Sequence, residues 1–257
     1  MLIDLPEGRT LLDPSRPFSS FSIDPKRPAI LTWLGEVHGV ARGGFLPNEL
    51  AWRVIQSSLF WNLIRTRKRS SSKKAAPRKQ PAFKSLEVDA VLGMDLIYQT
   101  TMFFDIVNRR LIVGDDKPAG FAERRYESLK STNVPVFPAT LNRHEAWALW
   151  DATTQFGFVA DSKFVRGLKP QPGFQEFNPM FGNLEISQSF FMPFTLGGYD
   201  LIERVGKAPF INCGGVSPNA MGPFLKAMDV DAVLSNSWTP RVKIWLNPLD
   251  QTFALAV

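Results

Sequence analysis

Apolar residues fall along this 257-residue chain in short runs broken by proline, glycine and asparagine, the pattern of strands joined by turns. The runs are rich in Phe and Val, which suit a pleated, half-buried surface. Twenty prolines punctuate them, so long helices should be few. The chain is therefore expected to be mainly β. Residues 102–107 and 110–113 read as a hairpin turning on Asn108-Arg109, and 242–246 and 252–257 as another, with Pro248 suited to the second position of its turn. One stretch departs from this pattern. Over 48–64, Asn48 is a capping candidate and Leu50, Val54, Ala51, Ile55, Leu59 and Leu63 recur at helical spacing, which predicts an amphipathic, core-facing helix.

Two stretches 142 residues apart nearly coincide: 84–92 (KSLEVDAVL) and 226–234 (KAMDVDAVL), with six of nine positions identical. Without a gap, the match continues more weakly through the two hairpins. Upstream, Leu11-Leu12-Asp13-Pro14-Ser15 lies opposite Leu149-Trp150-Asp151-Ala152-Thr153 at an offset of 138, a four-residue difference that one loop absorbs. Two copies at so long a period imply two lobes and not a solenoid, whose units are shorter and more numerous. The expected division is a first lobe over 1–114, a polar linker over 115–133 and a second lobe over 134–257.

The net charge of +6 is local. Residues 65–79 (RTRKRSSSKKAAPRK) hold eight Lys or Arg and no acid, so the rest of the chain is left at −2. With Ser, Ala and Pro for company, this run reads as a solvated, flexible insertion. It attracts polyanions, which keeps nucleic-acid contact or nuclear targeting open as its role. A single cysteine, Cys213, excludes an internal disulfide and any cysteine-based metal cluster. No metal or other cofactor is expected. No run approaches 18 apolar residues and the start lacks a signal pattern, so the expectation is a cytoplasmic protein, without membrane contact and monomeric.

Each copy thus offers an apolar strand ending in Asp, followed some 75 to 79 residues later by Val-Asp-Ala-Val-Leu. In this the chain resembles the retropepsin-like and pepsin-like aspartic peptidases. In that family a strand ends in Asp-Thr/Ser-Gly, and a later apolar pair followed by Gly, as in Val91-Leu92-Gly93, threads behind it and leads to a short helix and a final hairpin. The resemblance implies two β-barrel lobes and a cleft between them for an extended peptide. Asp13 and Asp151 would be the catalytic pair, sharing a proton and activating a water, because two carboxyls a few ångströms apart cannot both ionise cheaply. The implied activity is peptide-bond hydrolysis.

Both turns depart from the family at the same places. Pro14 and Ala152 stand where the family has a hydroxyl, Ser15 and Thr153 where it has Gly, and Ser235 replaces the glycine kept at Gly93. These changes support an alternative: a non-catalytic relative that keeps the cleft to bind a peptide or protein. The segment 208–216 (APFINCGGV) also looks like an active-site strand, with Asn212 in the place of Asp, but it leaves no room for a flap before Val230. The turn at Gly197-Gly198 fits a hairpin tip and could belong to that flap. His38 and His144 sit in no nucleophile motif, and the glycine pairs at 43–44, 197–198 and 214–215 lack the Lys-Ser/Thr of a phosphate loop.

Overall fold

The computed structural model describes residues 2–5, 8–14, 20–21, 31–32, 35–36, 90–98, 100–114, 117–129, 132–152, 154–178, 182–207, 210–212 and 221–257. The expected helix over 48–64, the basic run 65–79, His38 and Cys213 lie outside these residues. What is described is mainly β with very few short helices, as the short apolar runs require.

Three sheets carry the fold. The first joins β1 (Leu2–Leu5), β2 (Gly8–Leu12), β3 (Ser20–Phe21) and, after the small hairpin β4 (Leu31–Thr32) and β5 (Gly35–Glu36), β6 (Ala90–Leu92). Its order is β1-β2-β6-β3. A one-turn helix, α1 (Met94–Ile97), leads to β7 (Met102–Asp105) and β8 (Arg110–Val113). The span expected as a linker contributes β9 (Ala122–Arg125) and β10 (Glu127–Ser128). Then come β11 (Pro135–Leu141), β12 (His144–Trp150), β13 (Gly157–Val159), β14 (Pro170–Asn178), β15 (Gly182–Leu196), β16 (Tyr199–Lys207) and β17 (Phe210–Asn212). Helix α2 (Met221–Ala227), β18 (Ala232–Leu234), β19 (Lys243–Asn247) and β20 (Thr252–Ala256) complete the chain.

In the second sheet, β11 pairs with both β12 and β15, so β11-β12-β18-β13-β16-β15 close into a six-stranded barrel. Closure removes the open edges that such strands would otherwise present. Strand β18 runs through the middle, and its Ala232, Val233 and Leu234 are all buried. Ala232 and Leu234 join the larger core with Trp150, Val159 and Val205, while Val233 joins a second cluster with Phe156, Phe158, Ile186 and Leu225. A strand covered on both faces needs an unbroken apolar run, and Ala-Val-Leu supplies it.

The third sheet, ordered β8-β7-β19-β20-β9, joins the two hairpins that the sequence predicted to β9 of the span expected as a linker. Its central pair is nearly two-fold: Phe103 faces Trp245, while Phe104 faces Ile244 and Met102 faces Leu246. At the offset of 142, Phe103 corresponds to Trp245, Met102 to Ile244 and Phe104 to Leu246, so each strand meets its own counterpart in reverse. The hairpin tips correspond as well, with the partners exchanged. Asp105 accepts from the Asn108 backbone N–H and Nδ2, whereas Asn247 Nδ2 donates to Asp250 at 2.8 Å. Arg109 and Gln251 both take positive φ, 54° in each case.

Candidate functional site at two aspartate turns

Each of the two aspartates follows a strand that runs parallel to an Ala-Val-Leu strand. In the first sheet Thr10, Leu11 and Leu12 of β2 align with Ala90, Val91 and Leu92 of β6. In the second, Ala148, Leu149 and Trp150 of β12 align with Ala232, Val233 and Leu234 of β18. The hydrogen bond that begins each turn is the same: the Asp13 N–H donates to Leu92 O at 3.0 Å, and the Asp151 N–H to Leu234 O at 2.8 Å. A third strand flanks each pair antiparallel. Ser20 faces Val91 and Phe21 faces Ala90, while Phe158 faces Val233 and Val159 faces Ala232. All of these positions are related by 138 before the crossing strand and 142 within it, the two offsets read from the sequence.

The second turn is described in more detail. Asp151 is 2% exposed and Asp13 1%. Pro14 is buried, and Ala152 packs against the larger core where the family resemblance calls for a hydroxyl. A different hydroxyl closes this turn: Thr154, fully buried, donates through Oγ1 to Asp151 O at 3.3 Å, and its own carbonyl accepts the Asn236 N–H at 3.0 Å. Thr154 therefore links the aspartate turn to the segment after β18. Its position two residues beyond Ala152 gave no motif to read.

Ser235 has a local function of its own. Its hydroxyl donates to Ser237 Oγ at 2.9 Å and accepts the Ser237 N–H at 3.0 Å, which bends the chain into the 3-10 turn Thr239–Arg241 where Gly93 leads into α1. Its backbone N–H donates to Glu203 Oε1. Glu203 was not anticipated; it lies on β16 in an ordinary alternation, between inward-facing Leu201 and Val205. Burial pushes its carboxyl up to about 8, opposed by hydrogen bonding from the Ser235 side chain and backbone. The repeated Asp231 also has a defined role: its carboxylate accepts the Trp147 N–H at 3.0 Å and its own N–H donates to Trp147 O at 2.8 Å, setting the register in which β18 meets β12.

The other candidates fall elsewhere. Asn212 ends β17, which pairs antiparallel with β15 from Glu185 to Asn183, so it does not end a strand in a parallel crossing as the aspartates do. Gly197 and Gly198, at φ 59° and 92°, do form a hairpin tip, between β15 and β16. That tip packs onto the third sheet, where a Cβ on Gly197 would lie 3.1 Å from Leu255 and 3.3 Å from Phe253. A longer ribbon pairs β14 with β15 antiparallel, from Pro170 opposite Phe190 to Asn178 opposite Gly182. A cleft of about 530 Å³ lined by Arg124, Trp147, Gly197, Asp231 and Phe253, among others, includes neither aspartate. His144 stacks edge-on to Phe164. Among the described residues, no three His, Cys, Asp or Glu gather as a metal site, and no helix is long and apolar enough to cross a membrane.

Neither a protein-family model nor a curated protein matches the chain. Among solved structures, it is similar to the foamy viral protease-reverse transcriptase in complex with an RNA/DNA hybrid, at 15% identity over 41% of this chain and a TM-score of 0.27. The match spans 11% of the length of that viral chain.

Proposed function

We propose that the chain is a two-lobed relative of the retropepsin-like aspartic peptidases, with lobes over 1–114 and 134–257, in which Asp13 and Asp151 form a water-activating pair for an extended peptide. The observation that supports this reading is the twofold occurrence of one backbone arrangement. An apolar strand ending in Asp lies parallel to Ala-Val-Leu, with the aspartate N–H bonded to the leucine carbonyl. In the proposed reaction one carboxylate takes a proton from water, the water oxygen attacks the scissile carbonyl, and the partner carboxylic acid protonates it. The pair then returns a proton to the leaving amine. Cleavage of an unfolded protein substrate at acidic pH, lost in both Asp13→Asn and Asp151→Asn, is the expected result. Equal cleavage by the wild type and both variants would remove the assignment.

The second reading, a peptide- or protein-binding relative without catalysis, is favoured by two particular features. Both carboxylates are almost completely buried, and Pro14 and Ala152 supply no hydroxyl beside them. Under this reading, peptide binding persists in the two Asn variants while no cleavage occurs in any form.

A further inference from the structure

Glu203 is a carboxylate set among apolar side chains. It is 1% exposed, flanked on its own strand by Leu201 and Val205 and paired across to Met192 on β15, all buried. Gly157 on β13 makes room for it: a Cβ there would stand 3.0 Å from both Cδ and Oε1 of Glu203. Oε1 accepts the Ser235 N–H, while Oε2 is buried without a hydrogen-bond partner. Ionised, the group would be a buried charge held by Ser235 alone, an unfavourable arrangement in an apolar interior. Neutral, it keeps the same acceptor and carries no charge.

Among the described residues, no charged side chain offsets it. Strand β13 bears none, β18 bears none, and β12 carries His144 and Glu145 at its far, exposed end. On β15 the single acid is Glu185, seven residues from Met192. On β16, Asp200 bonds Thr195, Lys207 is exposed, and Arg204 points to Ser189 Oγ and Pro172 O. Asp231 faces Trp147. Asp151 is joined to Glu203 through the backbone: Ser235, which Glu203 holds, follows Leu234, which holds the Asp151 N–H.

We propose that Glu203 is a positioning residue for Asp151, which in its neutral form holds the β12–β18 crossing closed beneath the aspartate turn and on ionisation loosens it. The functional sense of this rests on Asp151 being half of the water-activating pair; the backbone coupling does not. The folded carboxyl, at about 8, sits above its ordinary value of 4.5. The folded chain therefore keeps a proton that the unfolded chain has lost between those values. The Glu203 contribution to stability is full below 4.5, and through it the folding equilibrium constant falls by up to about tenfold per pH unit up to about 8. The second aspartate is thereby fitted to acid conditions.

The test uses the full chain and Glu203→Gln, a neutral isostere that keeps the carbonyl acceptor for Ser235. Amide hydrogen exchange of Asp151 and Ser235, corrected for base catalysis, and the urea midpoint are followed from pH 5 to 9. Wild type is expected to lose protection at both amides and to lower its midpoint as pH rises, with Glu203→Gln level across the range. Wild-type protection at Asp151 and Ser235 that does not change with pH overturns the proposal, whatever the variant does. A fall of equal slope in Glu203→Gln overturns it as well, as does a midpoint that falls while those two amides stay protected, since that would be burial without positioning. Absence of any peptidase activity leaves these readouts intact and counts against the proposed function alone.

Discussion

At the residue scale, the second aspartate turn depends on an absence of side chain at Gly157. A Cβ there would stand 2.6 Å from Val233 O and 3.0 Å from the Glu203 carboxyl, and the backbone carbonyl belongs to the central barrel strand and has no freedom to retreat. Gly157→Ala should lower stability by about 1–3 kcal/mol, the usual cost of overpacking a filled interior. Equilibrium urea denaturation checks it, and a loss below the few tenths typical of surface changes would show that β13 and β18 can move apart. The aspartates themselves were legible in the sequence because each ends an apolar strand at a repeated distance. Thr154 and Glu203 were not. A hydroxyl two residues past the expected place and a glutamate in regular strand alternation carry no local signature, and both acquire their roles only when β13, β16 and β18 are brought together.

Among the elements, the two hairpins of the third sheet were the most legible, since turn residues and apolar runs stand at matching offsets. Their tips show how one backbone shape tolerates an exchange of side chains. The acid precedes the turn at Asp105 and follows it at Asp250, with the amide at the other place each time. The Asn108 side chain, followed by its backbone N–H, holds the Asp105 carboxyl below its usual value of 3.8. Because the folded value is depressed, the stabilisation is complete above 3.8 and is lost as pH falls through the lower folded value. Asp105→Ala should therefore cost about 1–3 kcal/mol at neutral pH, as for hydrogen bonds to a charged group, and clearly less near pH 2. Denaturation midpoints of wild type and variant at the two pH values measure this; an equal gap at both would assign the loss to packing. The Gly197-Gly198 tip has strong turn chemistry and lies on Phe253 and Leu255. Turn chemistry identifies a hairpin; which sheet it leans on depends on the β11–β15 closure, a pairing across more than 50 residues.

For the whole molecule, the near two-fold pairing of β7 with β19 makes one sheet from the ends of both copies, and the larger core passes through it. Leu12, Leu92, Met94 and Ile97 share a cluster with Trp150, Leu234 and Phe253. Phe104 on β7 meets Trp150 on β12 edge-on at 5.7 Å, and Trp150 in turn meets Trp238 at 5.8 Å. With the residues before both aspartates in a single cluster, neither half can expose its apolar face without disrupting the other, so unfolding should be one cooperative transition. Trp150, Trp238 and Trp245 are all buried and give three of the seven tryptophans to the joint, so tryptophan fluorescence carries a signal from it, while far-UV circular dichroism reports on the strands of both sheets. The two signals are expected to change together in urea. Ile244, 2% exposed and paired with Phe104, is the place to loosen the joint. Ile244→Ala should cost about 2–5 kcal/mol and move both signals to the same lower midpoint. Two separate transitions in the wild type, or a variant in which only fluorescence moves, would mean that the halves are stable independently and that the shared sheet joins them without coupling the two aspartate turns.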